Sequence, residues 1–489
     1  MKRFFLLVLL SVLFVGGDVC AQFLGTSTNY SGSRGLALNP SLMTTSYVYA
    51  DFGLNLGVSA YNDFIYLNAS DYFQLLRKNG TTSEYWNNGK SYDYGFFLNG
   101  KPKNIYETLD FNLISGMYSP DGKHAWGFFI NNRIYTNGTN IPYEIGEASI
   151  LGVENGDFLD KNYKSTDMRF GMMAWSELGV SWSKVVYEGY FRKIDFGITA
   201  KGLIGYLGID LNLNNVDKDI YTAESIIIHK LDIDAVLSGP IDYSAKFDGG
   251  NIFDASKIVN GLGAGFDIGF TYTYNRQYNT RPAVNRPCAA KKVSYMWRLG
   301  VSLLDVGAVH YNKNARSYKL ACDTDKQFDG KQLDGAQDFD DMMDRLTAMF
   351  HDNKSETRGS DSFWMGLPTA FSVQFDYSIT KKLYLNATWV QPMKLLTYSA
   401  IRPALFVVEP RYETPYFDLT IPVTFFNYEK LYVGLESRLG FLTIGTQNIL
   451  NFIGVGKSYG LDLYVALKFN FYKERCTAVR GDGCWYEGF

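Results

Sequence analysis

The sequence predicts an all-β chain folded as a transmembrane antiparallel β-barrel of about 14 strands, with long loops, a short helical insertion and a plug-like amino-terminal segment. Three observations lead there. Apolar residues recur at every second position over segments of about ten residues, the period of a strand with one face in lipid. After residue 21 no run approaches the roughly 18 apolar residues that mark a helical span, although 46 % of the chain is hydrophobic. Aromatic residues reach 16 %, with 36 Tyr and 35 Phe, a load suited to two interfacial girdles. A soluble β-sandwich also alternates, but its strands usually stop at about five or six residues.

Residues 1–21 read as a secretory signal peptide. Lys2 and Arg3 supply the positive start, Phe4 to Val15 the apolar run, and Val19-Cys20-Ala21 the small residues before a cut after Ala21. The run is shorter than the roughly 20 residues of a spanning anchor. Gly17-Asp18-Val19 ahead of Cys20 lacks the residues of a lipid-attachment site. Residues 22–45 follow as a plug or hatch segment. Within it Asn39-Pro40-Ser41 reads as a turn that delivers the chain into the first strand, since Pro fixes φ and Asn accepts tight turns.

The barrel is expected over residues 46–472. Val48 to Val58 alternate with Tyr49, Asp51, Gly53, Asn55 and Gly57, and Ile194 to Ala200 with Asp195, Gly197, Thr199 and Lys201. Leu262 to Tyr274 alternate with a small, polar face that includes Gly265, Asp267, Gly269 and Thr271. Leu461 to Phe471 alternate with Asp462, Tyr464, Ala466, Lys468 and Asn470. Val293 to Leu303 and Phe417 to Phe425 repeat the pattern. Weaker strands are readable near 62–70, 106–118, 124–136, 168–184, 205–214, 227–237, 367–379, 382–391, 404–412, 430–438 and 440–447. Asp51, Asp195, Lys201, Asp267, Asp462 and Lys468 are thus the lumen-facing candidates, and alternation leaves open whether they pair or line water.

The 468 residues that remain of 489 after a 21-residue leader exceed what about 14 tilted strands require, so the surplus lies in loops. The richest is 305–366, where eight Asp from Asp323 to Asp344 crowd together. Phe339, Met342, Met343, Leu346, Met349 and Phe350 fall at helical spacing and predict an amphipathic helix over 336–351, packed on the barrel rim or inside the lumen, or docking a partner. Gln327 and Phe328 break a calcium-loop pattern, so the carboxylates read as solvated surface. Other loops are expected at 71–104, 137–166, 238–260 and 275–291, rich in Gly and Asn.

Chemistry is sparse. With 47 Lys+Arg against 50 Asp+Glu the net charge is −3, which carries no nucleic-acid footprint. The histidines, His124, His229, His310 and His351, are scattered singly, so neither a metal nor another cofactor is expected. Gly456-Lys457-Ser458-Tyr459-Gly460 matches a nucleophile elbow but leads into a strand rather than a helix. Arg480-Gly481-Asp482 reads as an ordinary turn, and no acid–base constellation suggests an enzyme. Cys288, Cys322, Cys476 and Cys484 are an even set in an exported chain, so disulfides are expected. Three pairings are open. The local one, Cys288 with Cys322 and Cys476 with Cys484, is preferred and would staple the tail at 473–489.

Gly35-Leu36-Ala37-Leu38-Asn39-Pro40-Ser41-Leu42, then Pro422-Val423-Thr424, Gly434 to Asn448 and Asp462 to Lys468, give the chain a resemblance to uncharacterised outer-membrane barrels of Bacteroidetes-type bacteria, the DUF5723 type. That resemblance implies the outer membrane of a Gram-negative bacterium. Asn39-Pro40 is also similar to the Asn-Pro-Ala element of FadL-like transporters and of type IX secretion barrel subunits, whose amino-terminal stretch forms a hatch; here Ser41 stands in place of Ala. Two functions follow as expectations. The first is a plugged passage for small or hydrophobic molecules, with outer-membrane lipid around it. The second is a non-transporting scaffold that presents loops to envelope or secretion proteins.

Overall fold

The computed structural model describes residues 26–63, 65–68, 94–96, 101–142, 161–221, 226–246, 253–276, 295–328, 335–350, 359–453, 455–458 and 460–472. The expected signal peptide, the tail at 473–489, Cys288, Cys476, Cys484 and much of the expected loops at 71–104, 137–166 and 275–291 lie outside the described residues.

Fourteen strands form a closed antiparallel ring. In chain order they are β1 (Ala50–Asn62), β2 (Lys103–Tyr118), β3 (His124–Ile141), β4 (Lys161–Glu188), β5 (Arg192–Ile220), β6 (Gly261–Asn275) and β7 (Tyr295–Tyr311). Then come β8 (Phe363–Gly366 and Ala370–Ser378), β9 (Leu383–Pro392), β10 (Leu405–Glu413), β11 (Phe417–Thr420 and Val423–Phe426), β12 (Lys430–Val433 and Leu435–Leu439), β13 (Leu442–Thr446) and β14 (Gly460–Phe471). Each pairs with the next, and β14 returns to β1 in register from Ala50↔Phe471 to Tyr61↔Gly460. Closure gives the sheet partners on both sides, the condition that lets strands sit in hydrocarbon.

The alternation read from sequence sets the two faces. On β6, Leu262, Phe266 and Phe270 are exposed while Asp267, Thr271, Thr273 and Asn275 are buried. On β1, Phe52, Leu54 and Leu56 are exposed and Asp51 is buried. The molecule is therefore apolar outside and polar inside, the reverse of a water-soluble sandwich. Five of the six connections between consecutive strands at one end, 119–123, 189–191, 379–382, 414–416 and 440–441, are tight turns, the sixth being 276–294, whereas most connections at the opposite end are longer. Aromatic rings gather at the short-turn end, with Trp126 and Trp182 6.3 Å apart and Tyr274 stacked on Trp297 at 5.9 Å.

The segments 194–200 and 205–214 are one strand of 29 residues, because Gly202 and Gly205 keep their ladder partners. The first part of β5 pairs with β6, and from Gly208 to Ile220 it pairs instead with the Ile226–Ser238 strand. That strand is not part of the wall. With Ala315–Cys322 and Lys326–Phe328 it builds a sheet that projects from the long-loop end. The loop expected at 305–366 consequently contains the end of β7, two strands of this sheet and the start of β8. The helix expected over 336–351 is present at Phe339–Phe350. It packs neither on the rim nor in the lumen: Leu346, Met349 and Phe350 close a small core with Val216, Ile228, Leu231, Leu320 and Cys322 of the projecting sheet. The same apolar period serves lipid and this core alike, so pattern alone does not separate them.

The occupied interior as candidate functional site

Residues 26–46 make their contacts with the inward-facing side chains of the wall strands. Gly32, at φ +55°, turns the chain, and its lack of a Cβ admits the Asp51 carboxylate to the space a side chain would fill. A 3₁₀ turn (Gly32–Ala37) and a short helix (Leu42–Thr45) follow. Between them the Asn39 side-chain oxygen accepts from the Ser41 N–H at 3.0 Å and from its hydroxyl at 2.6 Å, a local turn of the kind Asn favours. This places Asn39, Pro40 and Ser41 together at the wall rather than at the entry to β1. Asn39 Nδ2 donates to Gln374 on β8 at 2.9 Å and to the Phe270 carbonyl on β6 at 3.2 Å, and Ser41 Oγ meets Thr271 at 2.7 Å. Gly197 and Gly269, directly opposite each other in the β5–β6 register, form the socket. A Cβ on Gly197 would come within 2.4 Å of the Pro40 carbonyl carbon, and one on Gly269 within 2.0 Å of Asn39 Oδ1.

The segment engages strands on every side. Ser33 N–H donates to Asp51 (2.9 Å), Thr44 Oγ1 to Asp195 (2.7 Å), Ser27 Oγ to Glu409 (2.6 Å) and Asn29 Nδ2 to Glu413 (2.8 Å). Arg34 lies 4.0 Å from Glu436. In the other direction Ser302 Oγ donates to the Leu38 carbonyl, Lys193 to that of Thr44 and Lys468 to that of Tyr30. Leu36 and Met43 pack on Ala125 and Phe129 of β3, and Leu38 packs with Leu304, Val390 and Phe426.

Deeper toward the long-loop end lies a layer of ion pairs centred on Asp305. This residue sits at a bulge in β7, where the register slips between Leu303 and Val306, with φ +52°. The slip breaks the alternation and turns the carboxylate inward, at a backbone conformation that Asp tolerates better than bulkier residues. Asp305 receives Arg133 at 3.0 and 3.2 Å, Lys201 at 2.6 Å and Arg402. Lys201 also pairs with Asp267 at 2.8 Å, whose carboxylate accepts the Asp305 N–H at 2.6 Å. Arg133 further meets Glu177 at 3.3 Å and lies over Trp175 and Tyr135 at about 5 Å. A second cluster joins Arg298 and Arg411 to Asp376 at 2.6 and 2.8 Å. Between the amino-terminal segment and the Asp305 layer there is a cavity of about 60 Å³, bordered by Thr26, Ser33, Arg34, Asp110 and Asn112.

All six lumen-facing candidates point inward and are buried. Lys201 and Asp267 meet directly, as do Asp51 and Lys468 at 3.2 Å; Asp195 pairs with Lys193 at 2.7 Å, and Asp462 accepts the Gln447 N–H at 2.9 Å. Sequence reading missed the residues that organise them. Arg133, Glu409 and Arg411 share the inward parity of strands that were recognised, so continuing the alternation would have found them. Asp305 is hidden by its bulge and Arg402 by its place in a connection.

That connection, residues 393–404, folds back over the ring from the long-loop end. Ser399 N–H donates to Asp210 at 3.0 Å and Ile401 N–H to Asn137 at 3.1 Å, and Ala400 joins an apolar cluster with Trp175, Tyr311, Phe363 and Met365. An open groove of about 570 Å³ lies beside it, between Val236, Ser317, Phe363, Leu396 and Tyr398. On the projecting sheet, His229 is held between Asp219 (3.0 Å) and Asp325 (2.8 Å), and these hydrogen bonds raise its pKa from the usual 6.5 to about 8. Cys322 is buried there, its thiol against the Thr324 carbonyl at 2.9 Å. Among the described residues no group of three His, Cys, Asp or Glu is arranged to hold a metal ion.

Comparison with known proteins adds a family. A model of a family of unknown function (DUF5723) matches residues 40–447. No curated protein matches the chain. Among solved structures, a TodX deletion mutant described as a monoaromatic hydrocarbon channel is similar at 10 % identity and a TM-score of 0.30, over 90 % of this chain and 95 % of that one. The CymD monoaromatic hydrocarbon channel is similar at 9 % and 0.28, over 94 % and 98 %. A Pseudomonas aeruginosa FadL homologue is similar at 9 % and 0.26, over 93 % and 100 %. At such values no residue role and no substrate is carried over.

Proposed function

We propose that this chain, which belongs to the DUF5723 family of unknown function, is an outer-membrane barrel whose passage is held shut by its own amino-terminal segment, and that displacement of residues 22–45 opens a path for small molecules. The observation that carries the reading is the attachment of residues 26–46. It consists of hydrogen bonds, an ion pair and apolar contacts to wall strands, a non-covalent seal beside which lies a cavity of about 60 Å³. The membrane setting is supported by the outer face. The thirteen residues from Leu262 to Tyr274, at strand rise and barrel tilt, span roughly 30 Å along the normal, close to a hydrocarbon core. By the rule that periplasmic turns are short, the segment sits in the periplasmic half and the projecting sheet faces outward.

The test is conductance in a planar bilayer. The mature chain is expected to be nearly silent and a variant lacking residues 22–45 to conduct. A folded deletion variant that stays silent would overturn the reading. A second reading, a scaffold that displays its loops to protein partners, is favoured by one observation, the projecting sheet with its own helix-capped core. It predicts that deleting the sheet abolishes partner capture while the barrel still inserts.

A further inference from the structure

The amino-terminal segment carries one ionisable side chain between residues 26 and 46 that is charged at neutral pH, Arg34, and no carboxylate. Its donors are aimed at acids. Asp51, Asp195, Glu409, Glu413 and Glu436 each receive an N–H, a hydroxyl, a carboxamide or the guanidinium from it. All five lie within four residues of the short-turn end of their strands, on β1, β5, β10 and β12, and so are distributed around one mouth of the ring. The wall as a whole has the same sign. Among the described residues the fourteen strands bury thirteen Asp and Glu side chains against seven Lys and Arg. Half-buried Lys193 adds an eighth cation and leaves the excess negative.

We infer that the barrel, once its amino-terminal segment is displaced, admits cations in preference to anions, with the carboxylates vacated by the segment as the selecting ring; this rests on the passage reading above. In the closed state the segment acts as a tethered, donor-rich stand-in for the permeant. Withdrawing it removes Arg34 and the hydrogen bonds that the segment gave these acids, and water and mobile cations take their place; Asp51, Asp195 and Glu413 keep Lys468, Lys193 and Arg411 beside them. A ring of Asp and Glu in a low-dielectric wall concentrates counter-ions and repels anions. Lys468, Lys193 and Arg411, which donate to segment carbonyls, are freed as well. Each of the three keeps a wall carboxylate: Asp51, Asp195 and Asp376 respectively. Glu436 is different, because the cation it faces is Arg34 itself.

The test uses the variant lacking residues 22–45 in a planar bilayer under a potassium chloride gradient. The reversal potential is expected to report potassium favoured over chloride by about tenfold, the lower end of what a one-signed cleft achieves. Glu436→Gln in the same background is expected to lower that ratio with the barrel still folded, as judged by its heat-modifiable gel mobility. Asp51→Asn is the second variant, should the first not fold. A conducting deletion variant that is unselective or favours chloride refutes the inference and leaves the passage reading standing. A folded, silent one refutes both.

Discussion

Asp305→Asn tests the centre of the interior most directly. Asn keeps the shape of the side chain and tolerates the positive φ at this bulge, so the change isolates one negative charge. That charge faces three cations, Arg133 at 3.0 Å, Lys201 at 2.6 Å and Arg402, all buried. Lys201 retains Asp267, and Arg133 retains Glu177. The Arg402 guanidinium loses the Asp305 charge and keeps its hydrogen bond to the Pro368 carbonyl. Breaking a buried pair from one side costs about 3–5 kcal/mol, which is a change of about two to four powers of ten in the folding equilibrium. The assay is urea unfolding of the reconstituted barrel followed by tryptophan fluorescence, for which Trp175 beside Arg133 is a built-in reporter. Asp323→Asn, at a carboxylate 80 % exposed on the projecting sheet, is the control and is expected to change stability by less than about 0.5 kcal/mol. A loss below about 1 kcal/mol for Asp305→Asn would refute the view that this carboxylate neutralises the layer.

Two other outcomes are expected. Gly197→Leu places a side chain where the Pro40–Ser41 backbone now lies; overpacking of this kind costs about 1–3 kcal/mol, so residues 26–46 should become accessible to protease and conductance should appear without any deletion. Unchanged protection would refute the socket. The His229 clamp should weaken with rising pH. Its folded pKa of about 8 lies above the unfolded value, so its stabilisation is complete below about pH 6.5 and is lost as pH climbs through 8. Hydrogen exchange in residues 226–238 and 315–328, corrected for intrinsic rates, should then rise, and His229→Gln should abolish that dependence; a pH-independent wild type would rule the clamp out.

Much of this architecture was legible because lipid imposes one rule on every wall strand. An outward residue must be apolar, so period two survives from β1 to β14, and the inward parity of Asp51, Asp195, Lys201, Asp267, Asp462 and Lys468 follows from it. The helix was legible as well, since its apolar stripe repeats at three and four. What it packs against was not, because the projecting sheet offers the same alternation as a membrane strand. Asp305 was illegible for a geometric reason: a bulge inserts one residue, inverts the parity and makes the strand look finished at Leu303. Arg402 was illegible because a connection has no period, and only the folded ring reveals that 393–404 turns inward.

The amino-terminal segment has one more consequence, for the order of assembly. Its seat is composed of residues far along the chain: Ser27 with Glu409 is separated by 382 positions, and Asn29 with Glu413 by 384. No part of that seat near β10 to β14 exists until the last strands have been laid down and the ring has closed. Residues 26–46, synthesised before any wall strand, are therefore the last to find their place, and loop-closure entropy over so long a separation makes that step late whatever its final stability. Until then their hydrogen-bonding groups face water, or whatever escort carries the chain. On the proposed reading, a nascent barrel of this design passes through an open stage before it becomes a closed one, and the interval between closing the wall and seating the segment is a property that time-resolved protease protection can measure.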